Sequence, residues 1–361
     1  MSETTRTNES LPKGASVPGP GMPFEDKAAA AVSVAEVEDA ALRRREDTSI
    51  SQGRLVTRRF LAHKAAMASV IVFVVIALMA FTSIGFAGIP GWWDKNYTMA
   101  ASIVDGGRPT LSLVPTWLGG EGLRWGEHPF GQDSTGKDYF ALVMRGTQQS
   151  ITIALVVGIV ATVIGSVVGA VAGYFRGWVD SVLMRITDLF IIIPLLVLAA
   201  VLGKIAGGSG NVLVLAFVLG LVTWTGLARL VRGEVLSLRE REFVSAAQAM
   251  GAKTSRIIFK HLLPNTIGVI VVNATFAIAG AILLETSLSY LGFGVRPPDS
   301  SLGLLISQYQ SAFTNRPWLF WWPGMTILAI ALSVNFIGDG LRDAFDPRQS
   351  KAARRKRRTK A

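Results

Sequence analysis

The chain alternates long apolar runs with short charged segments. A helix that crosses a bilayer needs about 20 predominantly apolar residues in succession, and six runs of roughly that length occur here. They lie near 65–86, 151–173, 184–202, 212–231, 266–284 and 318–337, and a Gly-rich connection, 203–211, joins the third run to the fourth. The pattern predicts an all-α polytopic membrane protein with about six transmembrane helices.

The polar segments divide the chain around these runs. Residues 1–54 are rich in Glu, Ala, Ser, Pro and Gly and have no sustained apolar face, which is typical of a mostly disordered tail. Residues 87–149 combine six Trp or Tyr rings with Pro, Gly and mixed charge, and we interpret them as a small ordered external lobe. The remaining predicted divisions are a first transmembrane helix at 65–86, a five-helix permease domain at 147–343 that contains the charged loop 239–265, and a basic tail at 344–361.

Composition and charge support a membrane protein. Half of the residues are hydrophobic, 17% are charged and the mean hydropathy is +0.42, which is too apolar for a soluble chain of 361 residues. The net charge of +11 does not indicate nucleic-acid binding, because Lys and Arg cluster beside the apolar runs, at 54–64, 229–241 and 354–358. This positive-inside pattern places both termini and loop 239–265 in the cytoplasm. The chain has no cysteine, hence no disulfide or thiol chemistry.

Loop 239–265 is the most informative segment. Residues 243–250 predict a short helix with a stripe of apolar and small side chains. The stripe consists of Phe243, Ala246, Ala247 and Met250. Gly251 predicts a sharp turn, because a residue without Cβ adopts positive φ at little cost. We expect Thr254 to cap a second helix and Pro264 to stand where the chain enters the next span. Small side chains at such a helix tip allow close approach to another protein.

The loop resembles the cytoplasmic coupling loop of ABC importer permeases, whose pattern is E-A-A, three residues, G, nine residues, I-x-L-P. The matching positions are Ser245, Ala246, Ala247, Gly251, His261, Leu262, Leu263 and Pro264. Ser245 replaces the family's Glu, and His261 replaces its Ile, as is usual in the dipeptide/oligopeptide branch. Stretches at 128–138, 172–188, 228–243, 285–303 and 338–348 resemble the same family in the same order. The chain thus looks like a C-type permease subunit of the dipeptide/oligopeptide ABC importers.

The resemblance implies a type I ABC importer permease fold. It also implies that transport through the membrane and ATP hydrolysis are carried out by different subunits. It implies a multi-pass permease, itself not an enzyme, that moves di- or oligopeptides across the bacterial cytoplasmic (inner) membrane. The implied partners are a second homologous permease, two ATPase subunits that hold ATP and Mg, an extracytoplasmic peptide-binding protein and membrane lipid. This chain is expected to bind no cofactor, metal or nucleic acid. The residues implied in ATPase coupling are Phe243, Ser245, Ala246, Ala247, Met250, Gly251, His261, Leu263 and Pro264. Importers of nickel, glutathione or another small ligand share the architecture and stay an alternative.

The sequence offers no convincing catalytic or metal site. Residues 131–137 match the Gly-x4-Gly-Lys spacing of a phosphate-binding loop, but Asp138 stands where Ser or Thr would hold magnesium, and no apolar strand precedes them. The histidines, His63, His128 and His261, are far apart and lack metal-ligand neighbours. A secondary transporter or channel would need coupling or filter residues at mid-membrane, and a membrane-embedded enzyme a cluster of His, Asp or Ser on facing spans. Neither class is favoured.

Several polar residues lie near or within the predicted spans. A charge in hydrocarbon is costly, so such residues are candidates for function. Asp188 stands three residues after Arg185, which favours an ion pair between them. As a hypothesis, Asn273, Glu285 and Asn335 contribute to the substrate path. The alternatives are an interfacial Glu285 that reaches water and asparagines that join helices.

Gly165, Gly169 and Gly173 recur at a spacing of four in the second predicted span. Small residues at this spacing let two membrane helices approach closely. We favour packing against another span of the same chain. A contact with a second permease subunit is the alternative.

Overall fold

A computed structural model describes residues 52–112, 117, 122, 124–207 and 211–346. The chain divides into two units, Met1–Leu55 and Val56–Ala361. Of the first unit only 52–55 are described, and they are helical. The tail predicted at 1–54 otherwise lies outside the described residues, and so does the predicted C-terminal tail from residue 347 onward.

The described residues are mostly helical, and only isolated bridge pairs such as Ala100 with Lys137 have extended pairing. The helices are α1 (Gln52–Ala62), α2 (Lys64–Ser83), α3 (Tyr139–Phe175), α4 (Gly177–Ile192), α5 (Leu195–Gly207), α6 (Val212–Thr223), α7 (Thr225–Arg239), α8 (Glu242–Ala249), α9 (Thr254–Arg256, a π-helical turn Ile257–Leu262, and Leu263–Asn265), α10 (Ile267–Tyr290), α11 (Leu302–Tyr309) and α12 (Trp318–Phe345). The predicted all-α class is confirmed.

Four helices, α2, α3, α10 and α12, are long and apolar enough to cross a bilayer alone. Two pairs qualify only together: α4 with α5, bent by 88°, and α6 with α7, bent by 44°. If each bent pair is one span, the described residues contain up to six, which agrees with the six apolar runs. The third run, 184–202, is nevertheless not one straight helix. Pro194 follows the end of α4, and its missing N–H and its ring prevent the helix from continuing.

The glycine stripe of α3 packs against α7 of the same chain. A Cβ on Gly165 would lie 2.8 Å from the carbonyl oxygen of Trp224, and one on Gly173 would lie 2.9 Å from that of Arg232. Gly169, between them, is closer still to the backbone of Ala228. Any larger side chain would push the two helices apart, so the stripe sets their close approach. The favoured interpretation, packing within the chain, is confirmed.

The helix bundle of 56–346 has two ends, which we define by their connecting segments. The lobe end comprises 84–138 and 291–317, and the loop end comprises 240–266. The lobe end stops at Asp138, because α3 begins at Tyr139; the external lobe predicted at 87–149 would include the first turns of this helix. The main apolar core lies between α3, α10, α11 and α12, and a smaller one lies beneath α8.

Candidate functional site

Helix α8, the centre of loop 239–265, is anchored on one side. Val244 is fully buried and Ala247 is 3% exposed. Both belong to a buried cluster with Val235 of α7 and with Ile257 and Leu262 of the π-helical turn. This small core fixes α8 against the two elements that flank it.

The other side of α8 is open. Phe243 is 39% exposed and Met250 is 81% exposed, and the small residues Ser245 and Ala246 between them are exposed as well. Of the stripe predicted from the sequence, Ala247 therefore faces its own chain, whereas Phe243, Ala246 and Met250 form an open apolar surface. We call these three side chains, with Ser245, the open face of α8. Such a surface on a short helix is typical of a contact with another protein.

Gly251 makes the turn that ends α8. Its φ is +75°, and a Cβ built on it would meet nothing within 4 Å. The N–H of Gly251 donates to the carbonyl of Gln248 at 2.9 Å, and the N–H of Ala252 donates to that of Ala247 at 3.0 Å. This pair of bonds is the Schellman motif, in which the residue after the helix is left-handed. The predicted turn is confirmed, and its cause is backbone conformation, not lack of space.

The second helix begins at Thr254, but Thr254 does not cap it. Lys253 occupies the N-cap position, and no side chain bonds to the first turn, so the predicted cap is wrong. The next turn, Ile257–Leu262, is π-helical, a form that is frequent at functional sites. Of the other predicted coupling residues, His261 and Leu263 are half-buried and Pro264 is exposed, in the first turn of Leu263–Asn265.

Loop 239–265 also carries uncompensated positive charge. Lys253, Arg256 and Lys260 are exposed, and no other described residue forms an ion pair or side-chain hydrogen bond with them. Arg239, by contrast, is used internally: Nη1 donates to the carbonyl oxygen of Tyr174 at 2.5 Å. That bond ties the end of α7 to the end of α3. The loop thus offers a partner both apolar side chains and cations.

The segment with phosphate-loop spacing, 131–137, is a structural turn of the lobe. One oxygen of Asp133 accepts hydrogen bonds from the N–H groups of Thr135 and Lys137, both at 2.8 Å. The Tyr309 hydroxyl donates to the other oxygen at 2.9 Å. Burial and the neighbouring Asp133 carboxylate raise the pKa of Tyr309 above its ordinary value. Both carboxylate oxygens of Asp133 are therefore satisfied by hydrogen bonds from residues of the lobe end.

Asp138 joins the lobe to α3. One of its oxygens caps α3 by accepting from the N–H of Ala141 at 2.8 Å, and it also accepts from Nε1 of Trp93 at 3.1 Å. The other oxygen lies 2.7 Å from Nδ1 of His128. Asp138 and His128 are 3% and 4% exposed. The stretch 128–138 therefore holds the lobe on the bundle.

Glu285 is completely buried. Its Oε2 accepts a hydrogen bond from the Ser150 hydroxyl at 3.1 Å, and its Oε1 accepts one from the Ser289 hydroxyl at 2.6 Å. The Ser301 hydroxyl lies 3.2 Å from that of Ser289. The carboxylate thus links α10, α3 and the start of α11. An interfacial Glu285 that reaches water is ruled out by this burial, and its contribution to a substrate path stays a prediction.

The two predicted asparagines are half-buried on neighbouring helices. Asn273 lies on α10 and Asn335 on α12, and these helices pack together. Nδ2 of Asn273 donates to the carbonyl oxygen of Val269 in its own helix at 2.8 Å. Their place in a substrate path stays a prediction.

The ion pairs between α4 and α7 were not predicted from the sequence. Asp188 pairs with Arg229 at 2.6 Å, so the predicted pair with Arg185 is wrong. Ion-pair partners that are dozens of residues apart in the sequence follow no local spacing rule. The only indication of these pairs in the sequence is the Arg cluster at 229–241, which supplies cations without showing which carboxylates they meet. Asp180–Arg232 and Asp188–Arg229 join the two helices, and Arg176–Glu240 joins the residue before α4 to the residue after α7.

Two family models match the chain. Residues 165–351 match a model described as binding-protein-dependent transport system inner membrane component. Residues 51–97 match one described as the N-terminal TM domain of oligopeptide transport permease C. The first match includes α7, loop 239–265 and all helices after it.

Similar proteins cover most of the chain. The oligopeptide transport system permease protein OppC of Mycobacterium tuberculosis (strain H37Rv) is 37% identical over 297 residues, which are 82% of this chain and 95% of that protein. OppC of Escherichia coli (strain K12) is 38% identical over 291 residues, 81% of this chain and 89% of that protein. A solved chain of the inward-facing MetNI methionine ABC transporter aligns at 22% identity with a TM-score of 0.46, over 57% of this chain and 97% of that one; at that score the likeness adds nothing to the assignment.

Proposed function

Because the chain belongs to the family of binding-protein-dependent transport system inner membrane components, we propose that it is the C-type permease subunit of an ATP-driven importer of di- and oligopeptides. Similarity to oligopeptide permeases along most of the chain supports peptides as cargo. Partner subunits hydrolyse the ATP, and this chain supplies half of the membrane path. A second permease, two ATPases and an extracytoplasmic peptide-binding protein complete the transporter.

The observation that carries this proposal is the open face of α8. Phe243 and Met250 leave apolar surface in water, yet Val244 and Ala247 hold the helix firmly on its own chain. A firmly anchored helix with an exposed apolar tip fits a groove on an ATPase subunit. The cations at Lys253, Arg256 and Lys260 favour a groove with acidic residues near it.

The packing of α8 suggests how ATPase movement reaches the membrane. The cluster beneath α8 includes Val231 and Val235 of α7, and α7 is packed tightly on α3 through the glycine stripe. A displacement of α8 therefore moves α7 and α3 with it, since close-packed helices move as blocks. In this account the closing of the ATPase dimer is transmitted through α8 as a rigid-body motion.

A charge placed on the open face tests the proposal. Met250→Asp should abolish co-purification of the ATPase subunits and reduce uptake of labelled di- and tripeptides by at least about tenfold, because a carboxylate would be buried in an apolar groove. Met99→Asp is the matched control, since Met99 is 69% exposed at the lobe end. Intact uptake and assembly in Met250→Asp would refute the coupling role. Uptake of nickel or glutathione by the unaltered transporter, without peptide uptake, would refute the cargo.

We further propose that the lobe end is extracytoplasmic and the loop end cytoplasmic. The chain has no cysteine, so a single introduced thiol reports one position. Ser102 at the lobe end and Ser255 at the loop end are both exposed. An impermeant maleimide should label Ser102→Cys in intact cells and Ser255→Cys only after permeabilisation. The reverse pattern would invert this orientation.

A further inference from the structure

One face of α4 and α7 carries charge that the chain does not cover. Asp188 and Arg229 form an ion pair, yet 37% and 49% of their side chains are exposed. Arg185, one turn before Asp188, is exposed as well, and it has no ion pair or side-chain hydrogen bond with any described residue. Ser181, one turn earlier again, is also exposed. We call Ser181, Arg185, Asp188 and Arg229 the charged face.

The charged face belongs to two helix pairs that are long and apolar enough to be membrane spans. Arg229 follows the start of α6 by 17 residues, which is about 26 Å along a helix, whereas the hydrocarbon core is about 30 Å thick. The 44° bend between α6 and α7 shortens this distance along the membrane normal. Asp188 touches Arg229 and is therefore at the same depth, with Arg185 one turn away. If α6 starts at the border of the hydrocarbon layer on the lobe side, these charges lie inside that layer, in its half nearer the loop end.

Other exposed helix surfaces in the bundle are suited to lipid. After Lys64, α2 contains no charged residue, and its exposed side chains include Ile71, Val72 and Leu78. An exposed ion pair and an unpaired guanidinium that faced lipid would lose their hydration without compensation, which is unfavourable. Charged side chains at this depth generally face a protein interior or a water-filled cavity. The charged face is therefore a poor lipid surface.

We propose that Ser181, Arg185 and the Asp188–Arg229 pair line the water-filled translocation path, and that Arg185 receives the carboxylate of the passing peptide. This inference rests on the proposed function. Asp188 compensates Arg229, which leaves Arg185 as the free cation of the face. A guanidinium binds a carboxylate through two parallel hydrogen bonds, and a di- or oligopeptide carries one at its C-terminus. A path residue must also release its ligand, and an exposed guanidinium in water binds weakly enough to do so.

Hydration of the charged face is the first test. In the complete transporter, Arg185→Cys and Ser181→Cys should react with a charged methanethiosulfonate reagent at least about tenfold faster than Val72→Cys, because the reactive thiolate forms only in water. Val72 is 44% exposed on α2 and, like Arg185, lies eight residues after the first residue of its helix. The reagent is applied from each side of the membrane, without nucleotide and after vanadate trapping.

Fast labelling at either position in any of these conditions supports the path. Labelling as slow as that of Val72→Cys in every condition would overturn it, whether lipid or a second permease covers the face. Ser181→Cys keeps Arg185 and its charge, so the test survives if Arg185→Cys fails to assemble. The labelling rate does not depend on the cargo, so a failure of the peptide assignment would be recognised separately.

The carboxylate contact is tested with a labelled peptide and its C-terminal amide, chosen so that the unaltered transporter takes up both. Arg185→Gln should lower uptake of the acid severalfold more than uptake of the amide, and Arg185→Lys should restore most of the difference, because a charge is retained. An equal loss for the two peptides would refute the contact with the carboxylate while leaving the hydration result intact.

Discussion

The lobe end and the loop end use their characteristic residues in opposite ways. At the lobe end, Asp133 and Asp138 are surrounded by donors of the same chain. At the loop end, Phe243 and Met250 are exposed although both are apolar. Both regions belong to stretches that resemble the same permease family, so resemblance alone does not separate them. Burial separates them, because the buried carboxylates of the lobe end stabilise the chain, whereas the exposed side chains of the loop end are available to a partner.

The difference has a direct experimental consequence. A change at the lobe end should lower stability, and uptake should fall only because less folded protein is present. A change at the loop end should leave the folded bundle intact and remove the connection to the ATPase. Measuring stability and uptake side by side therefore distinguishes the two regions.

The largest effect is expected from Gly251→Val. A β-branched residue at positive φ costs about 1–3 kcal/mol and favours another backbone conformation, which would redirect α8. Uptake and co-purification of the ATPases should fall by at least about tenfold, while the permease still inserts. Gly88→Val is the control, because Gly88 has a φ of +88° and open space around it, at the lobe end. Equal losses in the two variants would contradict a specific role of the loop.

Asp138→Ala should have the next largest effect, and on stability. The substitution removes the cap of α3 and leaves the Trp93 indole N–H without its acceptor, a loss of about 2–4 kcal/mol. The apparent unfolding temperature in detergent should fall by several degrees, and uptake only in proportion to the folded protein. Asp94→Ala, at an exposed residue, should change neither. Lost uptake at unchanged stability would give Asp138 a role in transport.

Glu285→Gln should have the smallest effect. A glutamine has the same shape, and its amide can donate to one serine hydroxyl and accept from another, so the loss should be below about 1 kcal/mol. If Glu285 only joins helices, as its hydrogen bonds indicate, uptake should stay within about twofold of the unaltered protein. Glu285→Ala leaves a void and unpaired hydroxyls and should lower the unfolding temperature clearly. A severalfold loss of uptake in Glu285→Gln at unchanged stability would instead support the predicted place of Glu285 in the substrate path.

Local patterns in the sequence predicted much of the fold. Apolar runs, the glycines of α3 and the turn at Gly251 depend on residues close together in the chain, and each is found where it was expected. The bend of 88° after α4 was missed because apolar residues flank Pro194 on both sides, so hydropathy continues through the break.

Features that depend on tertiary contacts were predicted less well. Spacing along the sequence predicts an ion pair between Asp188 and Arg185, whereas helix packing places Asp188 against Arg229, with which it forms the ion pair. The burial of Glu285 depends on Ser150, which is 135 residues away. Part of the candidate site was nevertheless predictable, because the open face of α8 follows from a short helix with apolar and small residues. The side of α8 that packs on its own chain was not, since Val244 and Ala247 are buried by residues of α7 and α9.

The proposed transmission of ATPase movement requires α8 to contact an ATPase subunit, and site-specific photo-crosslinking detects that contact in the assembled transporter. A photoreactive amino acid would replace Met250, and in a parallel variant Met99, within the complete transporter; both positions are highly exposed in this chain. We expect a crosslink from position 250 to an ATPase subunit and none to that subunit from position 99. Absence of an ATPase crosslink from position 250, or its capture of the peptide-binding protein instead, would contradict the proposed transmission.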